Sequence, residues 1–132
     1  MPIATVAAII KNEAGKILLT RRNIEPFKGQ WCLPGGHIDE NEKTLDAAVR
    51  EAKEETGLDF EAEFLFYADE VIPEFKWHAV VMVFAGKGMG ELAAQEREVT
   101  DIAWFSLDEA RSLPLAFIHN KILDDFVSQK YD

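Results

Sequence analysis

The chain has 132 residues and a mass of 14.9 kDa, one domain's worth, and its 48% hydrophobic share against 29% charged can bury a core, which excludes a disordered chain. Fourteen basic against 24 acidic residues give a net charge of −10, a field that repels phosphate backbones and disfavours nucleic-acid wrapping; an acidic protein that handles phosphates needs cations. The apolar runs 6–10 and 79–85 fall far short of the ~20 residues of a membrane helix, and a single cysteine, Cys32, with no basic-then-apolar leader over 1–10, sets the expectation of a reducing, cytoplasmic setting.

In chain order, residues 3–11 are rich in β-branched and small apolar side chains. Residues 16–21 carry Ile17, Leu18 and Leu19, and Asn12 to Gly15 lie between, which predicts a hairpin. Residues 22–36 read as a loop punctuated by Pro26, Gly29, Pro34, Gly35 and Gly36; in a small domain a loop of that length is often functional. Over 44–56, Leu45, Ala48, Val49 and Ala52 recur with the rhythm of a helix with one buried face, and Gly57 stops it. Residues 61–71 and 77–86 read as strands joined by a turn at Ile72, Pro73 and Glu74, and 99–105 as another. Ser106 and Glu109 have the spacing of a capping box, so a short helix should run from there to before Pro114. The last helix is expected over 115–128, with Ile118, Ile122, Leu123 and Phe126 as its apolar stripe. The organisation is mixed α/β, one domain over 1–132, with an acidic helix in the middle.

That helix is where the chemistry concentrates. Residues 36–70 hold 12 acidic and three basic residues, nearly the whole net charge. At about 100° per residue, Glu51, Glu54 and Glu55 share a sector roughly 100° wide that adjoins the apolar stripe. Like charges at i, i+3 and i+4 repel, so a purely structural helix gains nothing from the cluster. A hard divalent cation reverses that sign. Carboxylate oxygens suit Mg²⁺ or Mn²⁺, and the lack of a His/Cys cluster speaks against zinc.

From Gly36 there are five residues to Glu42, seven more to Arg50, and then Glu51-Ala52-Lys53-Glu54-Glu55-Thr56-Gly57-Leu58. This segment resembles the Nudix box, a loop–helix–loop signature of 23 residues. The run from Gly29 through Trp31, Leu33 and Pro34 to Gly36 is similar to the lead-in of many Nudix hydrolases, and Trp104 to Glu109 to their strand-to-helix exit. The resemblance implies a Nudix-type α/β/α sandwich with a mixed β-sheet and a loop-helix-loop catalytic motif. It also implies hydrolysis of a nucleoside diphosphate linked to a group X, giving a nucleoside monophosphate and phospho-X. A homodimer is common among such proteins.

Carried over residue by residue, Glu51, Glu54 and Glu55 match the metal-binding glutamates, and Gly35 stands where family members lend a backbone carbonyl to the metal. Glu42 and Arg50 match supporting positions, Arg50 as the fixed charge that orients a carboxylate and keeps it ionised. Glu98, with Glu96 in reserve, stands at the offset of the further carboxylate that completes the site or acts as base. Phosphoanhydride hydrolysis needs a water made nucleophilic and negative charge neutralised; metal ions do both, and a carboxylate takes the proton. Arg21 and Arg22, at the end of the second strand, are candidates for the substrate phosphates.

His37, His78 and His119 are scattered and read as structural or exposed; Trp31, Trp77 and Trp104 read as packing, and Cys32 as a small buried hydrophobe. Leu115 to His119 resembles a segment of the ADP-ribose and nucleotide-sugar branches, and Pro73 lies near where ADP-ribose hydrolases carry a proline. The mutator-type branch reads oxidised guanine with polar side chains near the final helix. Here Leu115, Phe117 and Ile118 are apolar, with only His119 and Asn120 polar beside them. ADP-ribose or a nucleotide sugar therefore ranks above an oxidised nucleoside triphosphate, and a nucleotide-binding module without catalysis is the third reading.

Overall fold

The computed structural model describes residues 1–93 and 97–129. Its centre is β1 (Ile3–Lys11), in which six consecutive residues, 5–10, are buried. Such a run belongs to a strand covered on both faces. Strand alternation deals its side chains to two cores. Val6, Ala8 and Ile10 pack with Ala47, Ala48 and Ala52 of α1 (Thr44–Thr56), whereas Ala7 and Ile9 pack with Ile122, Leu123 and Phe126 of α3 (His119–Ser128). The result is an α/β/α sandwich, with the short α2 (Leu107–Ser112) on the α3 side through Ala110.

The sheet is mixed. β1 runs parallel to β6 (Trp77–Met89) from Ile3↔Ala79 to Lys11↔Lys87, and antiparallel to β4 (Gly35–His37). β2 (Ile17–Arg22) pairs with β3 (Trp31–Cys32) and β7 (Val99–Phe105), and β5 (Asp59–Ile72) closes the far edge against β6. A register shift between Phe64 and Phe66 breaks the alternation of β5: Phe60 and Ala62 face α1, while Phe66 and Ala68 face the α3 side. This bulge turns Glu70 to that second face.

Several expectations need correction. The first two strands are not an extended hairpin: among the described residues they register at Lys11↔Ile17 alone and then diverge, although the turn forms, with Asn12 Oδ1 accepting from the Ala14 and Lys16 amides. Both strands are apolar on both faces, so each takes an interior place with other neighbours. The segment 22–36 is not all loop, because β3 lies inside it and β4 begins at Gly35. β5 and β6 outrun their expected ends, and a 3₁₀ turn, Pro73–Phe75, joins them.

The last helix starts at His119, not at 115. Before it, the chain is pinned as a turn: Ala116 N–H donates to the Trp31 carbonyl, Ile118 N–H to Glu70 Oε2, and Phe117 takes φ 56°. The α1 bounds, Gly57 as its left-handed C-cap at φ 81°, and the Ser106/Glu109 capping box stand as expected.

Candidate active site

The buried face of α1 is not the one its larger apolar residues suggest. Leu45 and Val49 are 46% and 38% exposed, and the inward side is Ala47, Ala48, Ala52, Glu55 and Thr56. The small alanines bring the helix close to the sheet, and the carboxylates come with it: Glu55 is 7% exposed and the Glu51 side chain 12%. Burying ionised carboxylates is costly unless cations and hydrogen bonds compensate.

Arg50 supplies the compensation. Its Nε and Nη2 grip Glu42 at 2.8 and 3.0 Å, its Nη1 lies between Glu51 Oε1 at 3.0 Å and Glu54 Oε2 at 3.2 Å, and Nη2 also donates to the His37 carbonyl at 3.0 Å. The planar fork suits this bidentate hold. The Arg50 hydrogen bonds, with the Asp39 amide donating to Oε1, pull the Glu42 carboxyl down to about 2. Glu42 and its neighbours raise Arg50 further above its usual value in turn. One guanidinium thus faces Glu42, Glu51 and Glu54, with Asp39 at 3.5 Å, and negative charge remains in excess.

Two glycines let the first loop meet this helix. Gly35 N–H donates to Glu55 Oε1 at 3.1 Å, and a Cβ at Gly35 would collide with the Val6 carbonyl across the β1–β4 ladder. At Gly36 a Cβ would fall on Glu51 Oε2. A cradle that excludes a single carbon beside a set of oxygen-only donors fits a hard divalent cation. Among the described residues no three His, Cys, Asp or Glu side chains converge as metal ligands; the cation between Glu51 and Glu54 in this arrangement is Arg50.

Beside the glycines opens a cavity of about 190 Å³. Its lining includes Gly35, Gly36, Glu55 and Glu98, together with Arg22, Glu70, Trp77, Phe117 and His119. Glu98 therefore shares a cavity with Glu55, while Glu96 lies outside the described residues. The two arginines separate. Arg22 lines the cavity, its Nε held by the Pro26 carbonyl at 2.8 Å and its guanidinium 4.7 Å over the Phe117 ring. Arg21 is not among the lining residues; it bonds the Gly29 carbonyl and Asp101, because neighbours along a strand point to opposite faces.

Sequence reasoning missed Glu70 and underread His119. Glu70 is 2% exposed, its Oε1 accepting from Trp77 Nε1 at 2.7 Å and its Oε2 from Ile118 N–H at 3.3 Å, and burial pushes its carboxyl above the usual range. His119 is 7% exposed; its Nδ1 accepts from Leu33 N–H at 3.0 Å, and burial, with the Arg22 charge, lowers it to about 3. The bulge that re-aims β5 leaves no signal in composition, and a buried acid in a strand looks like a surface one. Asn120 is structural: its side chain ties Leu115 N–H to the Leu113 carbonyl. Trp31 packs edge-on to Phe105 and Trp104 against the α1-side core, and Cys32 is buried, its thiol pushed up to about 11 by desolvation.

The NUDIX domain family model matches residues 1–126. A protein named ADP-ribose pyrophosphatase from Methanocaldococcus jannaschii is 37% identical over 98% of this chain and 75% of its own length. The crystal structure of a MutT NUDIX hydrolase from Burkholderia pseudomallei superposes with a TM-score of 0.85 at 31% identity, covering 94% of this chain and 97% of that one. The NUDIX domain of Shewanella oneidensis NrtR, solved with ADP ribose, gives 0.87 at 25% identity over 99% of this chain and 90% of that one. The chain belongs to the Nudix family. Its members generally use divalent metal ions, and the described helices include none long and apolar enough to cross a membrane.

Proposed function

We propose that this protein is a Mg²⁺-dependent pyrophosphohydrolase that cleaves ADP-ribose or a similar nucleotide sugar to a nucleoside monophosphate and phospho-X, with Mn²⁺ as a substitute ion. The observation that carries the reading is the Gly35–Gly36 cradle, where Glu55 accepts from Gly35 N–H and Glu51 Oε2 fills the place of a Gly36 Cβ, beside a cavity that Glu55 and Glu98 line. The ADP-ribose named for two of the similar proteins supports the substrate class.

Glu51, Glu54 and Glu55, with the Gly35 carbonyl, would hold the ion. When bound, the ion neutralises charge on the non-bridging phosphate oxygens and makes a water more acidic. The protein's own part is orientation and proton transfer. Arg50 holds Glu51 and Glu54 in place through Nη1. Gly35 N–H fixes Glu55. Arg22 meets a phosphate as a fixed positive charge. Glu98, facing the same cavity as Glu55, takes the proton as water oxygen bonds to phosphorus and the bridging oxygen leaves with its electron pair.

Release of AMP from ADP-ribose, with and without EDTA, tests the activity. Turnover in Mg²⁺ that stops on chelation is expected, and no cleavage of any nucleotide in a panel overturns the reading. The substrate ranking is set by kcat/KM for ADP-ribose, a nucleotide sugar and 8-oxo-dGTP. If the oxidised triphosphate wins by about tenfold or more, about 1.4 kcal/mol of barrier, the enzyme belongs to oxidised-nucleotide clearance instead.

A further inference from the structure

β5 closes one edge of the sheet, and among the described residues no strand pairs with its outer side. It is 14 residues long, against about 5–6 for most strands, and at about 3.3 Å per residue it lays roughly 45 Å of edge open. An edge of that length is a template for another chain, and proteins commonly blunt one with charges or a bulge.

The bulge in β5 orders its side chains symmetrically. Before it, Phe60 and Ala62 face α1, and the Phe64 ring meets Phe84 of that core at 5.6 Å. After it, Tyr67 registers with Met82 of the same core, and Asp69 and Val71 follow on that face by alternation. Leu65 and Phe66, adjacent in sequence, both pack toward α3. The point between residues 65 and 66 is thus a centre of symmetry for the two faces, and it is also the midpoint of Asp59–Ile72.

Laid antiparallel to itself about that point, β5 pairs over its whole length, Asp59 opposite Ile72 at each end. Directly opposite residues of an antiparallel pair share a face. This register meets that condition: Phe64 stands opposite Tyr67, Ala62 opposite Asp69, Leu65 opposite Phe66 and Glu63 opposite Ala68. Sliding one copy by one residue sets Phe64 against Phe66 or Leu65 against Tyr67, residues of opposite faces. Glu61 falls opposite Glu70, but the Glu70 carboxylate is buried and held by Trp77 and Ile118, and Lys87 registers beside Glu61.

The α1-side face along this edge is apolar and open. Phe64, Tyr67 and Val71 are each more than half exposed. Exposed Leu45 and Val49 extend it, since they lie on the flank of α1 opposite Glu51 and Glu54, the flank from which Lys53 reaches Asp59 at 3.4 Å. Fourteen strand residues a side, with these two helical side chains, approach the roughly 20–30 a side of a standard interface. At its centre each Phe64 packs on Tyr67 of the other copy, covering rings of the kind that bury about 150–250 Å² each.

We propose that β5 is a homodimer interface, pairing antiparallel with β5 of a second copy about a twofold axis at its bulge and joining two sheets into one. The occupant is a second copy because the symmetry belongs to the strand itself: a foreign strand needs neither a bulge at the midpoint nor matching faces on both sides of it. One such edge per copy makes the assembly close at two. The proposal is independent of the functional reading, for neither Phe64 nor Tyr67 lines the cavity.

Sedimentation velocity on the whole protein tests it. The mass at micromolar concentration should be twice 14.9 kDa, and Tyr67→Lys should raise the dissociation constant at least about tenfold with circular dichroism unchanged. Cross-linking reads the register. Under mild oxidation a mixture of Phe64→Cys and Tyr67→Cys chains should form a disulfide-linked dimer, because opposite Cβ atoms lie about 4.5–5.5 Å apart. Phe64→Cys alone should not, since its two copies stand offset along the strands, and Cys32 is buried and does not compete. If a variant fails to fold, the mass of the unaltered protein decides alone. A monomer at about 100 µM overturns the proposal, as does a mass that keeps growing with concentration, a dimer indifferent to Tyr67→Lys, or equal cross-linking by Phe64→Cys alone.

Discussion

Gly36 and Glu51 meet with no room for one more carbon between them: a Cβ on Gly36 would stand on Glu51 Oε2. The other oxygen of that carboxylate is held by Arg50 at 3.0 Å, so it cannot swing aside without giving up the ion pair. Gly36→Ala should therefore displace a proposed metal ligand while leaving the core, which Gly36 does not enter, in place. We expect kcat/KM to fall by at least about tenfold and the Mg²⁺ concentration for half-maximal activity to rise, with a melting temperature close to the parent's. Unchanged kinetics would mean that Glu51 takes no part.

The helix carboxylates can be neutralised without changing their shape. Glu54→Gln and Glu55→Gln keep side-chain length and helix propensity, and the glutamine at 55 still offers an oxygen to Gly35 N–H. Turnover should fall by about a hundredfold or more, about 2.7 kcal/mol of barrier, with circular dichroism unchanged. Near-normal rates in both variants would reduce this acidic face to a solvated surface.

Much of this site was legible because its signals are local. The Gly57 cap, the Ser106/Glu109 box and the spacing from Gly36 to Leu58 each depend on neighbours a few residues apart. What was not legible depends on distant partners. The helical rhythm pointed to Leu45 and Val49 as buried, and they are exposed because the sheet selects the alanine side that permits close approach. The stripe from 115 read as helix, yet long-range bonds from Trp31 and Glu70 hold it as a turn. Arg21 and Arg22 were indistinguishable in sequence, and only strand pairing sends one to Asp101 and the other to the cavity.

A divalent ion should stabilise the fold. Glu42, Glu51 and Glu54 share one guanidinium, so an ion that binds the folded chain and not the unfolded one relieves the repulsion and adds stability by mass action. At a concentration 100 times its dissociation constant the gain is about 2.7 kcal/mol. Calorimetry should show a melting temperature that climbs with Mg²⁺ and returns with EDTA. Glu54→Gln should weaken that climb. A flat response to millimolar Mg²⁺ and Mn²⁺ would remove the site as drawn.

Two groups give stability a defined dependence on pH, in different windows. The His119 ring is held near 3 in the fold and titrates near 6.5 when unfolded, so between those values the unfolded chain carries a proton that the folded one lacks. The stability from burying it neutral is complete above about 6.5 and drains away as pH falls toward 3, by at most about 1.4 kcal/mol per pH unit. Glu42 is held near 2 against about 4.5 unfolded, so its contribution is present above 4.5 and is lost as pH falls through 2. Between pH 6 and 5 the histidine therefore acts without the glutamate. Urea unfolding at pH 7, 6, 5 and 4 separates them: His119→Gln, whose amide oxygen can still accept from Leu33 N–H, should flatten the fall between pH 6 and 5, and Glu42→Gln should leave that interval alone and flatten the region below 4.5. Equal slopes for the parent and His119→Gln between pH 6 and 5 would show that the ring takes up a proton in the folded state.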